Sequence, residues 1–145
     1  MNNDINTTEY FGLFLREEDR QMLLKKIPPL RDDFKLFLDH LTLIHRSAFN
    51  EENLPICEGL LKRRGEKIPV TIVGTGLSDK AFAFACQLPQ GLFCANKQPH
   101  ITICTMNGGK PVESNYITKW DKLPFSPITV QCELRRVVCY RGNRK

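Results

Sequence analysis

His40-Leu41-Thr42-Leu43 and His100-Ile101-Thr102-Ile103 are one four-residue pattern written twice: histidine, aliphatic, threonine, aliphatic. In an extended strand, successive side chains point to opposite faces. Each segment therefore places its His and Thr on one face and its two aliphatics on the other. The aliphatic face asks for a core, so each stretch predicts a half-buried strand. The other face sets an imidazole beside a hydroxyl. Two such strands facing each other offer two of each, which is the equipment for acid–base attack on a phosphate. The duplication points to an enzyme built of two lobes meeting at a cleft. The third histidine, His45, falls on the opposite parity from His40, has no partner Thr, and reads as a satisfied core or rim residue.

Working outward from the motifs, Tyr10-Phe11-Gly12-Leu13-Phe14-Leu15 predicts a buried strand. Glu17 to Lys26, with Met22, Leu23 and Ile27 at helical spacing, predicts a helix that Pro28-Pro29 ends. Leu30, Phe34, Phe37 and Leu38 recur at helical spacing and predict a second amphipathic helix. The first motif strand then spans about Asp39 to Arg46. Asn50-Glu51-Glu52 resembles a helix start, with Leu54, Cys57 and Leu61 facing the core before Lys62-Arg63-Arg64-Gly65. Ile68 to Val73 and Ala81 to Leu88 read as strands joined by a Gly-rich turn, Gly74 to Asp79. Pro99 precedes the second motif strand, His100 to Thr105. A loop from Met106 to Pro111 and a polar segment to Trp120 follow, then a last strand from about Ile128 to Tyr140. The pattern predicts one α+β domain over residues 1–145. Gly74-Thr75-Gly76 with Lys80 lacks the spacing of a phosphate loop, and Lys80 is followed by Ala81, so no ATPase or kinase activity is expected.

Composition narrows the class. The chain has 145 residues, 41% hydrophobic and 26% charged, ordinary for a globular domain. Its net charge is +5, which suits an anionic substrate without demanding one. From Pro111 onward there are seven basic and three acidic residues. That basic end reads either as a solvated tail or as an RNA-backbone contact, through Arg135, Arg136 and Arg141 among others. The six cysteines form no C-x-x-C pair, and Cys86, Cys104, Cys132 and Cys139 sit in apolar runs. Met1 to Tyr10 is polar, with no secretory signal. Free thiols and a reducing compartment, cytoplasmic or nuclear, are expected. No apolar run is long enough to span a membrane.

A histidine titrates near neutrality, so one of a pair can be neutral and the other protonated. The neutral imidazole can take a proton from water while the cation protonates a leaving alkoxide. Thr42 and Thr102 can hydrogen-bond the non-bridging phosphate oxygens. No metal or cofactor is required. Asp39 is placed to orient a histidine, but as a neighbour on the opposite face it reads as a solvated strand-edge residue.

Paired His-x-Thr motifs about sixty residues apart, the second preceded by Pro99, resemble the 2H phosphoesterases. Tyr10-Phe11-Gly12, the string from His40 to Arg46, and Pro111-Val112-Glu113-Ser114-Asn115 resemble more closely the cyclic phosphodiesterase domain of fungal tRNA ligases. The last segment is also similar to a loop of myelin 2′,3′-cyclic-nucleotide phosphodiesterase. The resemblance implies a bilobal fold, with two antiparallel-rich sheets flanking a central cleft and helices outside. It implies hydrolysis of a 2′,3′-cyclic phosphate at an RNA 3′ end, or of a cyclic nucleotide, to a 2′-phosphate and a free 3′-OH, in RNA repair or tRNA splicing. It implies His40, Thr42, His100 and Thr102 as the catalytic set, with Tyr10, Pro111, Val112 and Ser114 around the substrate. It leaves open which histidine is the base. In tRNA ligases this domain is joined to a kinase and an adenylyltransferase, which this chain does not contain; a free-standing relative or an excised domain is expected. Two other readings stand beside this one: cleavage of 2′,5′-oligoadenylate by the same four residues, and a non-catalytic module that binds RNA ends.

Overall fold

Alternation of apolar and polar residues in six segments produces strands that close on one another. β1 (Thr8–Phe14), β3 (His40–His45), β4 (Lys67–Leu77), β5 (Ala81–Gln87), β6 (His100–Thr105) and β8 (Ile128–Val138) pair antiparallel in the order β6-β3-β1-β8-β4-β5, and β5 pairs back to β6. The computed structural model, which describes residues 3–139, is a six-stranded closed barrel. Two short strands attach to it: β2 (Lys35–Leu36) on β6 and β7 (Trp120–Lys122) on β4. Closure leaves the ring without free ladder edges. The joint between the two motif strands is the slightest, a single ladder pair, Leu41↔Ile101.

The inward faces make the core. Phe11 and Leu13 of β1, Leu41 and Leu43 of β3, Val70 and Ile72 of β4, and Ile101 and Ile103 of β6 are all fully buried. Few helices accompany them. α1 (Asn3–Asn6) is one turn, α2 (Glu17–Leu24) buries Leu23, and α3 (Leu54–Lys62) buries Cys57, Leu60 and Leu61. The six cysteines are free, and all but Cys94 are buried. Burial pushes the Cys132 thiol up to about 12. None of the helices among the described residues is long and apolar enough to cross a membrane.

Three expectations give way. The two flanking sheets of the α+β reading are one barrel, mostly sheet. The eleven-residue strands β4 and β8 pair with each other across Lys67↔Glu133 to Ile72↔Ile128 and so join the two halves. The helix expected from Leu30 to Leu38 is turn and short strand. Its helical spacing is real, but Phe37 and Leu38 donate their backbone N–H groups to Ile103 and Thr102 of β6, and Leu38 takes a positive φ of 50°. Tertiary pairing overrides local periodicity here. The glycines expected to form a turn at 74–76 lie inside β4. A Cβ on Gly74 would sit 2.5 Å from the Asp121 carbonyl oxygen, and one on Gly76 would sit 2.4 Å from the Trp120 ring. They are glycine so that β7 can approach. Tyr140, the expected end of the last strand, lies outside the described residues.

Candidate active site

With their aliphatics committed to the barrel interior, β3 and β6 turn His40, Thr42, His100 and Thr102 outward together. All four line one cleft of about 490 Å³. Tyr10, Asp39, Asn96, Pro111, Val112 and Asn115 share its walls. Of the residues read from the sequence as surrounding the substrate, Tyr10, Pro111 and Val112 lie in the cleft, and Ser114 does not. Ser114 is 1% exposed, and its hydroxyl is 2.8 Å from that of Thr102. It braces the threonine from behind. Either hydroxyl can donate in that pair, and the Thr102 hydroxyl also lies 3.5 Å from the Pro111 carbonyl oxygen, to which it can donate.

The two histidines sit in opposite surroundings. His40 Nδ1 lies 2.6 Å from Asp39 Oδ1. A carboxylate can only accept, so Nδ1 carries hydrogen and Nε2 is the nitrogen left outside that bond. The bond to His40 holds the Asp39 carboxyl below its ordinary value despite partial burial. This corrects the reading of Asp39 as a merely solvated edge residue: its side chain is half exposed, yet it is bonded to the imidazole. Two rings flank that imidazole. Tyr10 stacks on it at 5.1 Å between centroids and Phe14 at 4.9 Å. Gly12, between them on β1 and opposite Thr42, leaves the rings room: a Cβ there would lie 3.2 Å from Tyr10 and 3.3 Å from Phe14.

His100 is the more buried of the pair, at 8% exposure. Its Nδ1 is 2.9 Å from the Gln98 carbonyl oxygen, which can only accept, so Nδ1 carries hydrogen and Nε2 is the nitrogen left outside that bond. Burial lowers the His100 pKa; hydrogen bonds to the Gln98 backbone and the Asn115 side chain oppose that shift, and the His40 charge adds to it. Trp120 stacks against the ring at 6.1 Å. That indole lies over Gly76 and beside Ala83, in a small satellite core with Ala81 and Ile117. The small residues of β4 and β5 thus seat the tryptophan that flanks His100.

His45 lines the far end of the same cleft. Its Nδ1 accepts the Ser47 backbone N–H at 3.1 Å, and its Nε2 is 2.9 Å from Glu9 Oε2. Both nitrogens are engaged, as befits a rim histidine capping the short turn Arg46–Ala48. Among the described residues, no group of three His, Cys, Asp or Glu is gathered as a metal site would need.

Phe14, Gln98 and Trp120 carry no signal in the sequence for a role here. Phe14 reads as core, Gln98 as loop, and the Trp120–Gly76 contact joins residues far apart in the chain. Asn115 falls within the segment that carries the resemblance, and nothing local distinguishes it from its neighbours.

Comparison with known proteins finds a match over residues 35–127 to the family described as the fungal tRNA ligase phosphodiesterase domain. No curated protein matches the chain. Among solved structures, the crystal structure of TT0787 of Thermus thermophilus is similar, with 18% identity, 90% of this chain and 98% of that chain covered, and a TM-score of 0.44.

Proposed function

The chain belongs to the family of fungal tRNA ligase phosphodiesterase domains, and from that premise we propose that it hydrolyses the 2′,3′-cyclic phosphate of an RNA end, in RNA repair or tRNA splicing, to a 2′-phosphate and a 3′-hydroxyl. The observation that carries this reading is the unequal pair of histidines on one cleft. His100 is favoured neutral by burial, which suits a general base. His40 is bonded through Nδ1 to a carboxylate, which holds the ring with Nε2 turned away from that bond and suits a general acid acting from Nε2.

In this mechanism His100 Nε2 takes a proton from water as the water oxygen bonds to phosphorus. The P–O3′ bond breaks on the opposite side, and His40 Nε2 delivers a proton to O3′. The Thr42 and Thr102 hydroxyls donate to the non-bridging oxygens, where charge accumulates. Ser114 supports Thr102 from behind, and Asp39 is a positioning residue for His40. In-line displacement needs the base and acid on opposite sides of phosphorus, and the proposed mechanism assigns them to histidines carried on two different strands of the cleft. The cyclic ester is the substrate favoured by family membership, since phosphodiesterase chemistry with two imidazoles requires only that an alkoxide leave.

The test is product regiochemistry. Phosphorus NMR of an oligonucleotide ending in a 2′,3′-cyclic phosphate should show the 2′-phosphate alone. Exclusive formation of the 3′-phosphate overturns the assignment of O3′ as leaving group. No turnover of any cyclic nucleotide overturns the hydrolase.

A further inference from the structure

The outer faces of the two halves of the barrel are not alike. Beside His100, the face built from Gly76, Ala81 and Ala83 is covered by Trp120 and Ile117, and Gly74 is covered by the Asp121 backbone. Beside His40, the equivalent face of β1 and β8 carries Tyr10, Phe14, Glu133 and Arg135, of which Arg135 is exposed to solvent. Register places Arg135 opposite Gly12, and Glu133 opposite Phe14. The Arg135 guanidinium lies over the Phe14 ring, 5.1 Å from its centroid. Phe14 in turn stacks on His40. An unbroken row of flat side chains therefore runs from the catalytic cleft out across β1 to β8.

We propose that this row is the path by which the RNA chain leaves the cleft, with Arg135 holding the phosphate on the 5′ side of the terminal nucleotide. The proposal rests on the RNA-end reading above and extends it to a second nucleotide. A guanidinium presents a planar fork that matches phosphate oxygens, and the ring beneath it fixes its plane. Glu133 pairs with Arg135 at 2.9 Å, but an exposed pair of this kind is weak and yields to a bound phosphate. Lys67, opposite Glu133 on β4, adds a second cation to the same face. The neighbouring Arg136 has no part in this path. Its side chain is 13% exposed and turns to the other face, where it reaches Asp4 at 3.8 Å and Thr7 at 3.4 Å. Arg141, grouped with these two in the sequence, lies outside the described residues.

The experiment compares two ligands that do not turn over: a single-stranded RNA hexamer ending in a 2′-phosphate, and the mononucleotide 2′-AMP. Binding is measured by calorimetry across a range of salt. Arg135→Gln should weaken the hexamer about threefold to tenfold and leave 2′-AMP unchanged. It should also reduce the salt slope for the hexamer by about 0.7, the value for one single-strand phosphate contact. Arg135→Lys should restore the slope but only part of the affinity, because the charge returns without the fork. Unchanged hexamer binding in Arg135→Gln, or equal weakening of both ligands, overturns the path. Turnover of 2′,3′-cyclic AMP by the unaltered protein is scored separately. Its absence alongside a selective Arg135 effect would remove the hydrolase and leave the RNA surface standing.

Discussion

His40 and His100 share a motif, and the atoms one residue or two residues upstream give them different work. A carboxylate one residue before His40 and a carbonyl two residues before His100 both fix Nδ1 as the donor, and the proposed mechanism gives the carboxylate-bonded ring the acid's part. His40→Ala and His100→Ala should each lower kcat about 10²- to 10⁴-fold, with circular dichroism showing an intact fold. Thr42→Ala and Thr102→Ala should lower kcat with little change in KM, and the Ser variants should be milder, because the hydroxyl is what meets the phosphate; a Ser variant as inactive as Ala would point to packing of the methyl instead. Asp39→Asn keeps the shape and removes the charge, so kcat should drop about tenfold or more with KM nearly unchanged. The pH profile follows from His100. Its pKa is lowered in the folded protein, so it stays neutral, and competent as a base, below the ordinary value near 6.5. The acidic limb of the kcat/KM profile should therefore lie below that value, and a limb above it would contradict the assignment of His100 as base.

At the scale of elements, β7 and the 74–76 stretch of β4 act as one device. The glycines make no turn; Gly74 leaves room for the Asp121 backbone, and Gly76 clears a seat for the indole that stacks on His100. Gly76→Ala drives a methyl into Trp120 and Ile117, with approaches of 2.4 Å and 2.7 Å. It should destabilise the protein by about 1–3 kcal/mol, the usual range for overpacking. It should also reduce activity, because the indole must move off His100. Gly59→Ala is the contrasting substitution. Nothing lies within 4 Å of the added methyl, and the residue is inside α3, so stability should rise by about 0.5–1 kcal/mol with activity unchanged. Thermal melts and turnover of the two variants, measured together, separate a loss of seating from a general effect of losing glycine.

For the molecule as a whole, the barrel brings two separately encoded strands to a shared cleft. Strand pairing runs through all six members of the ring, but β3 and β6 meet at one ladder pair, Leu41↔Ile101, beside the cleft that His40, Thr42, His100 and Thr102 line. One turnover of the proposed reaction leaves His100 protonated and His40 deprotonated, and proton exchange with water resets the pair, so both transfers run through the imidazoles. Turnover of 2′,3′-cyclic AMP should be unchanged by EDTA, and dependence on an added divalent ion would contradict the two-histidine mechanism.

The motif strands, their inward and outward faces and the pairing of imidazole with hydroxyl were legible in the sequence, because strand alternation has a period of two and any short segment displays it. The helices at 17–24 and 54–62 were legible for a related reason, their apolar spacing within one short window, but the second begins at Leu54 and not at the Asn50-Glu51-Glu52 read as its start. Closure of the ring was not legible, because hydrogen-bond partners such as Thr71↔Gln87 on one edge of β4 and Thr71↔Thr129 on the other are chosen by position in space. The same reason explains the false helix at Leu30–Leu38, where β6 offered backbone acceptors that no local pattern records. It explains Asp39 as well. Strand parity sets it on the face opposite His40, and only the folded chain turns its carboxylate onto the imidazole. Local chemistry is written in neighbouring residues, whereas the partners that tune it come from strands far apart in the chain.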